Sequence, residues 1–374
     1  MSWMHEMNIL ITGSNGFIGK NLRVFLSERG YTNLSFFGRN QAYSELESMV
    51  QQADFVFHLA GVNRPLQDEE FQEGNAHLTE ELVRLLASTE RKIPLVLTSS
   101  THAERDNPYG KSKAAAEHAA LLYMQSTGSP AYIYRLPNVF GKWCRPNYNS
   151  AVATFCYNIA HSLPITIHDA NAALSLVYID DVCADLISLL ESDIPGGYRD
   201  IAPIYQTTVG DVVTLLSKFK QSRTSLVTED VGTGFLRALY STYLSYFSPV
   251  DFSYTVPGYT DPRGTFVEML KTPSAGQFSF FTAHPGVTRG GHYHHTKNEK
   301  FLVIKGKARY RFKHILTEEN YDLTVTSDNY KIIETVPGWT HDVTNVGDDE
   351  LIVMLWANEI FDRDQPDTVA SPLA

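Results

Sequence analysis

Tyr109 and Lys113 stand one helical turn apart in Tyr109-Gly-Lys-Ser-Lys113, so that on a helix both side chains project from one face. An ammonium near a phenol favours the phenolate, and a tyrosine of lowered pKa can pass a proton to or from a carbinol oxygen at neutral pH. Taken alone, such a pair reads more readily as two solvated surface residues. Its surroundings favour chemistry. Upstream, Leu95-Val-Leu-Thr-Ser-Ser100 is an apolar strand ending in hydroxyls, where a ligand would sit beyond the carboxyl end of a parallel sheet. Near the start, Gly13-Ser-Asn-Gly16-Phe-Ile-Gly19 lies between an apolar run and a helical one. Glycines there permit a tight turn and close approach of backbone to a pyrophosphate, while the helix N-terminus offers oriented N–H donors. On its own this turn is equally an ordinary strand-to-helix connection.

A second constellation lies far downstream. His292 and His294 are two apart, hence on one face of a strand, Glu299 follows after a turn, and His341 lies further on. Imidazoles and a carboxylate so spaced could surround a divalent ion. Any single histidine among them reads as structural; the set of four tips the balance. His295 points to the opposite face of an ideal strand. The three cysteines, Cys144, Cys156 and Cys183, are odd in number and lack Cys-x-x-Cys spacing, which argues against a disulfide framework or cysteine-based metal site and fits a reducing cytoplasm.

These residues need elements to hold them. Asn8–Thr12 is a short apolar strand, Lys20–Arg29 has helical spacing of Leu22, Phe25 and Leu26, and Leu34–Phe37 is apolar again. Strand-like runs recur at Phe55–Ala60, Leu95–Thr98 and Tyr132–Leu136, with helical segments such as Thr79–Ala87 and Lys113–Met124 between them. That alternation predicts an α/β doubly wound parallel sheet. After about Ser248, short runs punctuated by Gly and Pro (Phe278–Thr282, Lys300–Ile304, Ala308–Phe312, Lys331–Thr335, Leu351–Leu355) predict an all-β domain. The expected division is therefore 1–248 and 249–374, with Tyr246–Pro262 as linker. The 374-residue length suits two cores.

The composition, 43% hydrophobic and 20% charged, is that of a soluble globular protein without a membrane-spanning run. Met1–Glu6 carries no signal-peptide pattern and reads as a short leader before Met7. A formal charge of −11 would repel a phosphate backbone, so nucleic acid is not an expected partner.

From Met7 to Tyr240 the sequence resembles the extended short-chain dehydrogenase/reductases that act on nucleotide sugars. The resemblance rests on the Gly13–Gly19 turn, Asp54-Phe-Val-Phe-His-Leu-Ala-Gly61, the hydroxyls at Thr98–Ser100, Tyr109 with Lys113, Arg135-Leu-Pro-Asn-Val-Phe-Gly141 and Tyr178-Ile-Asp-Asp181. It implies Tyr109 as proton donor, Lys113 as the group that lowers its pKa and holds the nicotinamide ribose, and Ser100 as the hydroxyl that binds the substrate oxygen. Ser99 is the alternative by a one-residue slip. It implies dinucleotide contacts from Gly13, Asn15, Gly16, Phe17, Ile18 and Gly19, and from Leu59, Ala60 and Gly61. Where NAD enzymes carry an acidic residue for the ribose 2′-OH, this chain has Phe37-Gly38-Arg39-Asn40. Arg39 suits a 2′-phosphate and hence NADP(H), against the plain alternative of a solvated loop arginine.

Gly286-Val-Thr-Arg-Gly-Gly-His292-Tyr-His294, continuing through Glu299 to Gly306, is similar to the first cupin motif, and Pro337-Gly-Trp-Thr-His341 to the second, with one residue fewer between Pro337 and Gly338 than usual. This implies His292, His294, Glu299 and His341 as ligands of one divalent ion, zinc being the expectation although Mn²⁺, Fe²⁺ and Ni²⁺ are open. Asp261-Pro-Arg263-Gly264-Thr-Phe266 with Arg289-Gly-Gly-His292-Tyr293 also resembles the cupin-fold epimerases of deoxysugar nucleotides, in which a histidine at the position of His292 is the base. One nitrogen lone pair cannot both bind a metal and take a proton.

The whole chain resembles the bifunctional capsular-polysaccharide or O-antigen enzymes of the pathway to UDP-N-acetyl-L-fucosamine, through strings such as Asp106-Asn-Pro-Tyr-Gly110, Phe140–Ser150, Tyr240-Ser-Thr-Tyr-Leu-Ser-Tyr246 and His294–Val303. The resemblance implies a UDP-linked 4-keto-6-deoxy amino sugar as partner, C3 epimerisation in the cupin, C4 reduction in the Rossmann domain, and a homodimer. The rivals are a 4-reductase whose cupin only mediates dimerisation and a cofactor-sensing regulatory protein; the intact Tyr109/Lys113 pair argues against the sensor.

Overall fold

The computed structural model describes residues 6–261, 264–267, 270, 276–359 and 364–373. Its elements begin with β1 (Ile9–Thr12), α1 (Phe17–Glu28), β2 (Leu34–Phe37), α2 (Tyr43–Gln52) and β3 (Phe55–His58). Then α3 (Glu69–Phe71) runs through a π-helical turn, Gln72–His77, into α4 (Leu78–Ser88). Next come β4 (Leu95–Ser100), α5 (Pro108–Thr127), β5 (Ala131–Leu136), β6 (Asn138–Phe140), α6 (Ala151–Ala160), β7 (Ala173–Tyr178) and α7 (Ile179–Ser188). After β8 (Gly197–Arg199) and β9 (Tyr205–Thr208), α8 (Val209–Ser225) and α9 (Gly234–Leu244) complete the helical part.

The chain divides into two compact units. The first comprises Met1–Ser150 and Leu174–Gln206. Its main sheet has the order β2-β1-β3-β4-β5-β8 with every pairing parallel. Parallel strands must be covered on both faces, and they are: Leu10, Val56, Leu95, Leu97 and Ile133 pack with Leu46, Val50, Leu82, Leu86, Ala116 and Ala120, while the alternate residues Ile11, Phe57, Val96 and Tyr134 are buried as well. The strand order reverses between β1 and β3, the switch point at which open α/β sheets bind ligands beyond the strands' carboxyl ends. The doubly wound sheet expected from the sequence is present.

The second unit comprises Ala151–Ala173 and Thr207–Ala374. Its strands are β10 (Ser253–Thr255), β11 (Gly258–Asp261), β12 (Gly264–Val267), β13 (Gln277–Ala283), β14 (Thr288–Tyr293) and β15 (Glu299–Lys305). They continue with β16 (Lys307–His314), β17 (Asn320–Thr326), β18 (Lys331–Glu334), β19 (Trp339–Asn345), β20 (Leu351–Ala357) and β21 (Val369–Ala370). Two five-stranded sheets result, β10-β18-β15-β20-β13 and β17-β16-β19-β14-β21. On β16 the alternation is plain: Ala308, Tyr310 and Phe312 are buried, whereas Arg309 faces Asp322 across the strand pair on the outer side. This is the all-β barrel expected from the sequence.

The 248/249 boundary expected from the pattern falls inside this second unit. Helices α6, α8 and α9, which lie before that boundary, pack on one another and cluster with the barrel. The expectation of a linker over Tyr246–Pro262 is corrected as far as Asp261, Pro262 lying outside the described residues. Phe252 is fully buried against Phe312, Tyr321 and Trp339, and β10 pairs with β18. Proline and glycine marked short turns between packed residues rather than free chain.

A buried charge pair fastens the helices to the barrel. Lys300 on β15 pairs with Glu334 on β18 and donates to the Tyr254 hydroxyl on β10 at 3.1 Å; Arg223 of α8 lies 3.7 Å from the second Glu334 oxygen. Burial would drive the Lys300 ammonium towards neutrality, but Glu334 overrides it and holds its pKa well above the usual lysine range. Removing one member leaves the other charge uncompensated, so Lys300→Ala is expected to cost about 3–5 kcal/mol of stability, and the double replacement Lys300→Met/Glu334→Leu much less. Urea unfolding followed by barrel tryptophan fluorescence measures both; equal losses for the two proteins would contradict this account.

Candidate active site and metal centre

The residues singled out in the N-terminal part converge on the carboxyl edge of the parallel sheet, at the ends of β1, β2, β3 and β4. Gly13 follows β1 with φ +69°, and a Cβ on it would stand 2.6 Å from the Ala60 nitrogen. A Cβ on Gly19 would stand 2.4 Å from the Gly13 carbonyl oxygen. These glycines let the β1 turn, α1 and the Leu59–Gly61 segment close on one another. The N-cap of α1, Gly16, has no side-chain cap, so the first N–H groups of the helix face outward for an anion. Arg39 lies just beyond β2, exposed and without an ion pair to any described residue.

Behind this edge, His58 fixes the ends of β1 and β3. Its Nδ1 is 2.6 Å from the Thr12 hydroxyl and its Nε2 2.8 Å from the Thr79 hydroxyl, which itself donates to the Asn75 carbonyl. Thr79 has therefore spent its proton, and Nε2–H must be the donor to it. Burial, with Lys113 nearby, pushes the imidazole down to about 3, so it stays neutral. His58 is a structural member of the site.

Helix α5 presents the catalytic candidates. Asn107 caps it by accepting from the Gly110 N–H at 2.8 Å, Pro108 occupies the first turn, and Gly110 permits close approach to His102 and Arg105. The Tyr109 ring lies 5.4 Å from Phe71 and 6.0 Å, edge-on, from His102. Burial raises its phenol pKa, and a bond from the Ser100 hydroxyl partly offsets this. The tyrosine thus holds its proton at neutral pH, as a donor in reduction must. Lys113 is buried and donates a hydrogen bond to the Thr98 carbonyl at 3.1 Å; burial lowers its pKa to about 8, with Glu117 opposing. A Cβ on Gly61 would come within 3.2 Å of the Lys113 nitrogen, so the bare backbone there leaves room for the ammonium.

The two candidate hydroxyls part company. Ser100 faces Tyr109, whereas Ser99 is buried and donates to Glu117, which also receives Arg135. Sequence reading missed Asn75. Its amide bonds both main-chain groups of Val62 and the Ser112 hydroxyl, tying the loop after β3 to α5. It sits in the π-helical turn, which left no periodic signature to find.

In the barrel, one ligand-type atom each from His292, His294, Glu299 and His341 lies within 4.8 Å of the others. The register of β14 against β19 slips between Gly290 and His292, which puts His292 directly across from His341. Gly290 and Gly291, at φ +99° and +78°, supply that bulge. The altered second motif does not displace its histidine: Gly338 takes φ +79°, its N–H bonds the His294 carbonyl at 3.1 Å, and β19 carries His341 inward. His295 packs on Tyr293, two residues away along the chain, outside the cluster.

The electrostatics favour a cation. Nε2 of His294 and of His341 lie 3.3 Å and 3.4 Å from the same Glu299 oxygen, and Lys297 pairs with the other at 3.0 Å. His294 Nδ1 is 2.5 Å from the Asp367 carbonyl oxygen, to which it can only donate, and its Nε2 faces the cluster, 3.3 Å from Glu299. His341 Nε2 is buried and makes no bond of good hydrogen-bond geometry. Burial lowers His341 and brings His292 down to about 3; burial works to raise Glu299, but the two imidazoles hold it well below the usual carboxylate range. Imidazole nitrogens gathered around a carboxylate are the donor set of a divalent ion. Pro262 and Arg263 of the epimerase-like motif lie outside the described residues.

Comparison with known proteins agrees with both halves. Residues 9–202 match the NAD dependent epimerase/dehydratase family and residues 259–369 the polysaccharide biosynthesis C-terminal domain. The chain is 54% identical over 365 residues to UDP-2-acetamido-2,6-beta-L-arabino-hexul-4-ose reductase of Pseudomonas aeruginosa, spanning 97% of this chain and 98% of that one. The capsular polysaccharide assembling protein CapF of Staphylococcus aureus superimposes with a TM-score of 0.67 at 41% identity, covering 98% of this chain and 100% of that one. UDP-glucuronic acid 4-epimerase of Bacillus cereus, with a TM-score of 0.52 and 21% identity over 57% of this chain and 83% of its own, shares the fold of the N-terminal part. Full-length identity at this level, with both domain families in the same order, means that the chain belongs to the family of capsular-polysaccharide and O-antigen enzymes that join a nucleotide-sugar reductase to a polysaccharide-biosynthesis C-terminal domain.

Proposed function

We propose that this protein is a bifunctional nucleotide-sugar enzyme. The barrel unit epimerises C3 of a UDP-2-acetamido-2,6-dideoxy-4-hexulose, and the Rossmann unit reduces the C4 ketone with NADPH. The product is UDP-2-acetamido-2,6-dideoxy-L-talose. The observation that carries the reductive half is Tyr109, kept protonated by burial and facing Ser100 at the end of β4, in a sheet whose β1 end carries a dinucleotide-type turn. The relative from P. aeruginosa supports the substrate class, since its name specifies reduction of a UDP-linked hexul-4-ose.

A nicotinamide dinucleotide bound at the Gly13 turn supplies the hydride. Tyr109 gives its phenolic proton to the C4 oxygen, Ser100 holds that oxygen, and Lys113 fixes the nicotinamide ribose and restores charge balance when the phenolate forms. In the barrel, a divalent ion held by His292, His294, Glu299 and His341 supplies Lewis acidity. His292 is in this reading a ligand, so it is not the base.

Arg39 supports NADP(H) by its position past β2 and its lack of a competing carboxylate. A charge-assisted phosphate contact is worth on the order of 1.5–3 kcal/mol, so Arg39→Ala is expected to weaken NADPH about ten- to a hundredfold and leave NADH nearly unchanged, as measured by fluorescence titration. Equal losses would contradict the assignment. Elemental analysis of protein grown in metal-replete medium should find about one divalent ion per chain, zinc being expected, on the stoichiometry of a single four-ligand site. A metal-free result, with His294→Ala unchanged in stability, would remove the metal centre. The whole reading is tested by incubating the protein with the 4-keto UDP-sugar and NADPH: NMR should show one C4 alcohol with C3 inverted, whereas reduction with C3 retained would leave only the reductase.

A further inference from the structure

Asp367 lies far from the metal-ligand motifs in sequence, yet it touches the stretch between two of the ligands with both its main chain and its side chain. Its carbonyl oxygen accepts from His294 Nδ1 at 2.5 Å. Its carboxylate accepts the main-chain N–H of His295 at 2.9 Å, those of Thr296 and Lys297 at 2.6 Å, and the Thr296 hydroxyl at 2.9 Å. Strand β21 explains why it is there: Ala370 pairs with His292 and Val369 with Tyr293, so the chain immediately before β21 runs alongside His294.

We propose that Asp367 is a positioning residue for the barrel metal centre, its carbonyl setting the tautomer of His294 and its carboxylate holding the turn that fixes His294 relative to Glu299. The inference rests on the metal reading above. With Nδ1–H given to a carbonyl, the ring can turn only its Nε2 lone pair to the centre. The turn matters for a different reason. Residues 295–298 join the two ligands, and three consecutive N–H groups directed at one carboxylate leave that turn a single conformation. His294 Nε2 and the Glu299 oxygen are thereby held 3.3 Å apart before any ion arrives. A preset ligand pair binds metal more tightly than one that must be ordered on binding.

A turn-capping carboxylate with no bearing on the metal is the competing account, and metal affinity separates the two. Asp367→Asn keeps the shape but puts an amide N–H₂ among N–H donors. Competition of Zn²⁺ between the full-length protein and a chromophoric chelator should show affinity 10- to 100-fold below wild type, and the visible absorption of the Co²⁺-loaded variant should shift. The gain in melting temperature on adding Zn²⁺ should shrink, and dinucleotide binding should not change. If the variant is not recovered folded, Asp367→Glu, which displaces the carboxylate by one methylene, takes its place with the same expectation. Zn²⁺ affinity within twofold of wild type, an unaltered Co²⁺ spectrum and an undiminished metal-induced gain in melting temperature would overturn the proposal. Failure of the wild-type protein itself to take up Zn²⁺ or Co²⁺ would overturn the metal reading with it.

Discussion

A carboxylate taken out of water must meet positive charge, and that constraint sorts the buried acids of this protein into scaffold and site. Glu117 meets Arg135, Asp180 meets Lys142, and Glu334 meets Lys300; each pair joins elements of one unit and is complete within the chain. Glu299 differs. Lys297 reaches one oxygen, while the other lies 3.3 and 3.4 Å from the Nε2 atoms of two imidazoles, His294 and His341. The β14 bulge, the turn at Gly338 and the tether at Asp367 all bring nitrogen donors to the same place.

The N-terminal unit meets a different demand, for a proton held at neutral pH beside a place for hydride. Burial supplies it. Desolvation keeps Tyr109 protonated, and the same desolvation brings Lys113 down to about 8, close to physiological pH. The two chemistries fit one substrate. A 4-ketone acidifies the neighbouring C–H, so in the proposed sequence inversion at C3 would precede reduction at C4, which would lock the new configuration.

Much of this was legible because it follows short periods. Tyr109 and Lys113 are one turn apart on α5, Gly13 to Gly19 spans one strand-to-helix turn, and His292 at the end of β14 and His294 one residue beyond the strand reach the same cluster. The structure turns Ser99 to Glu117 and Ser100 to Tyr109, a difference that the sequence of a strand end does not show. What was illegible depends on tertiary partners. Helices α8 and α9 have apolar faces suited to either unit, and only packing shows that they join the barrel. Asp367 acts through a carbonyl that every residue carries, so nothing in its side-chain type could announce the contact to His294.

The central claim is that enolisation belongs to the barrel and reduction to the Rossmann unit. Deuterium incorporation beside the ketone, followed by NMR with the 4-keto UDP-sugar in D₂O and no NADPH, tests it in Tyr109→Phe, with the uncatalysed background subtracted. A general acid contributes about 10²–10⁴-fold to its own step, so this variant should lose reduction yet exchange deuterium at close to the wild-type rate. Exchange that vanishes in Tyr109→Phe while the barrel keeps its metal would show that one site performs both steps, and would contradict the account.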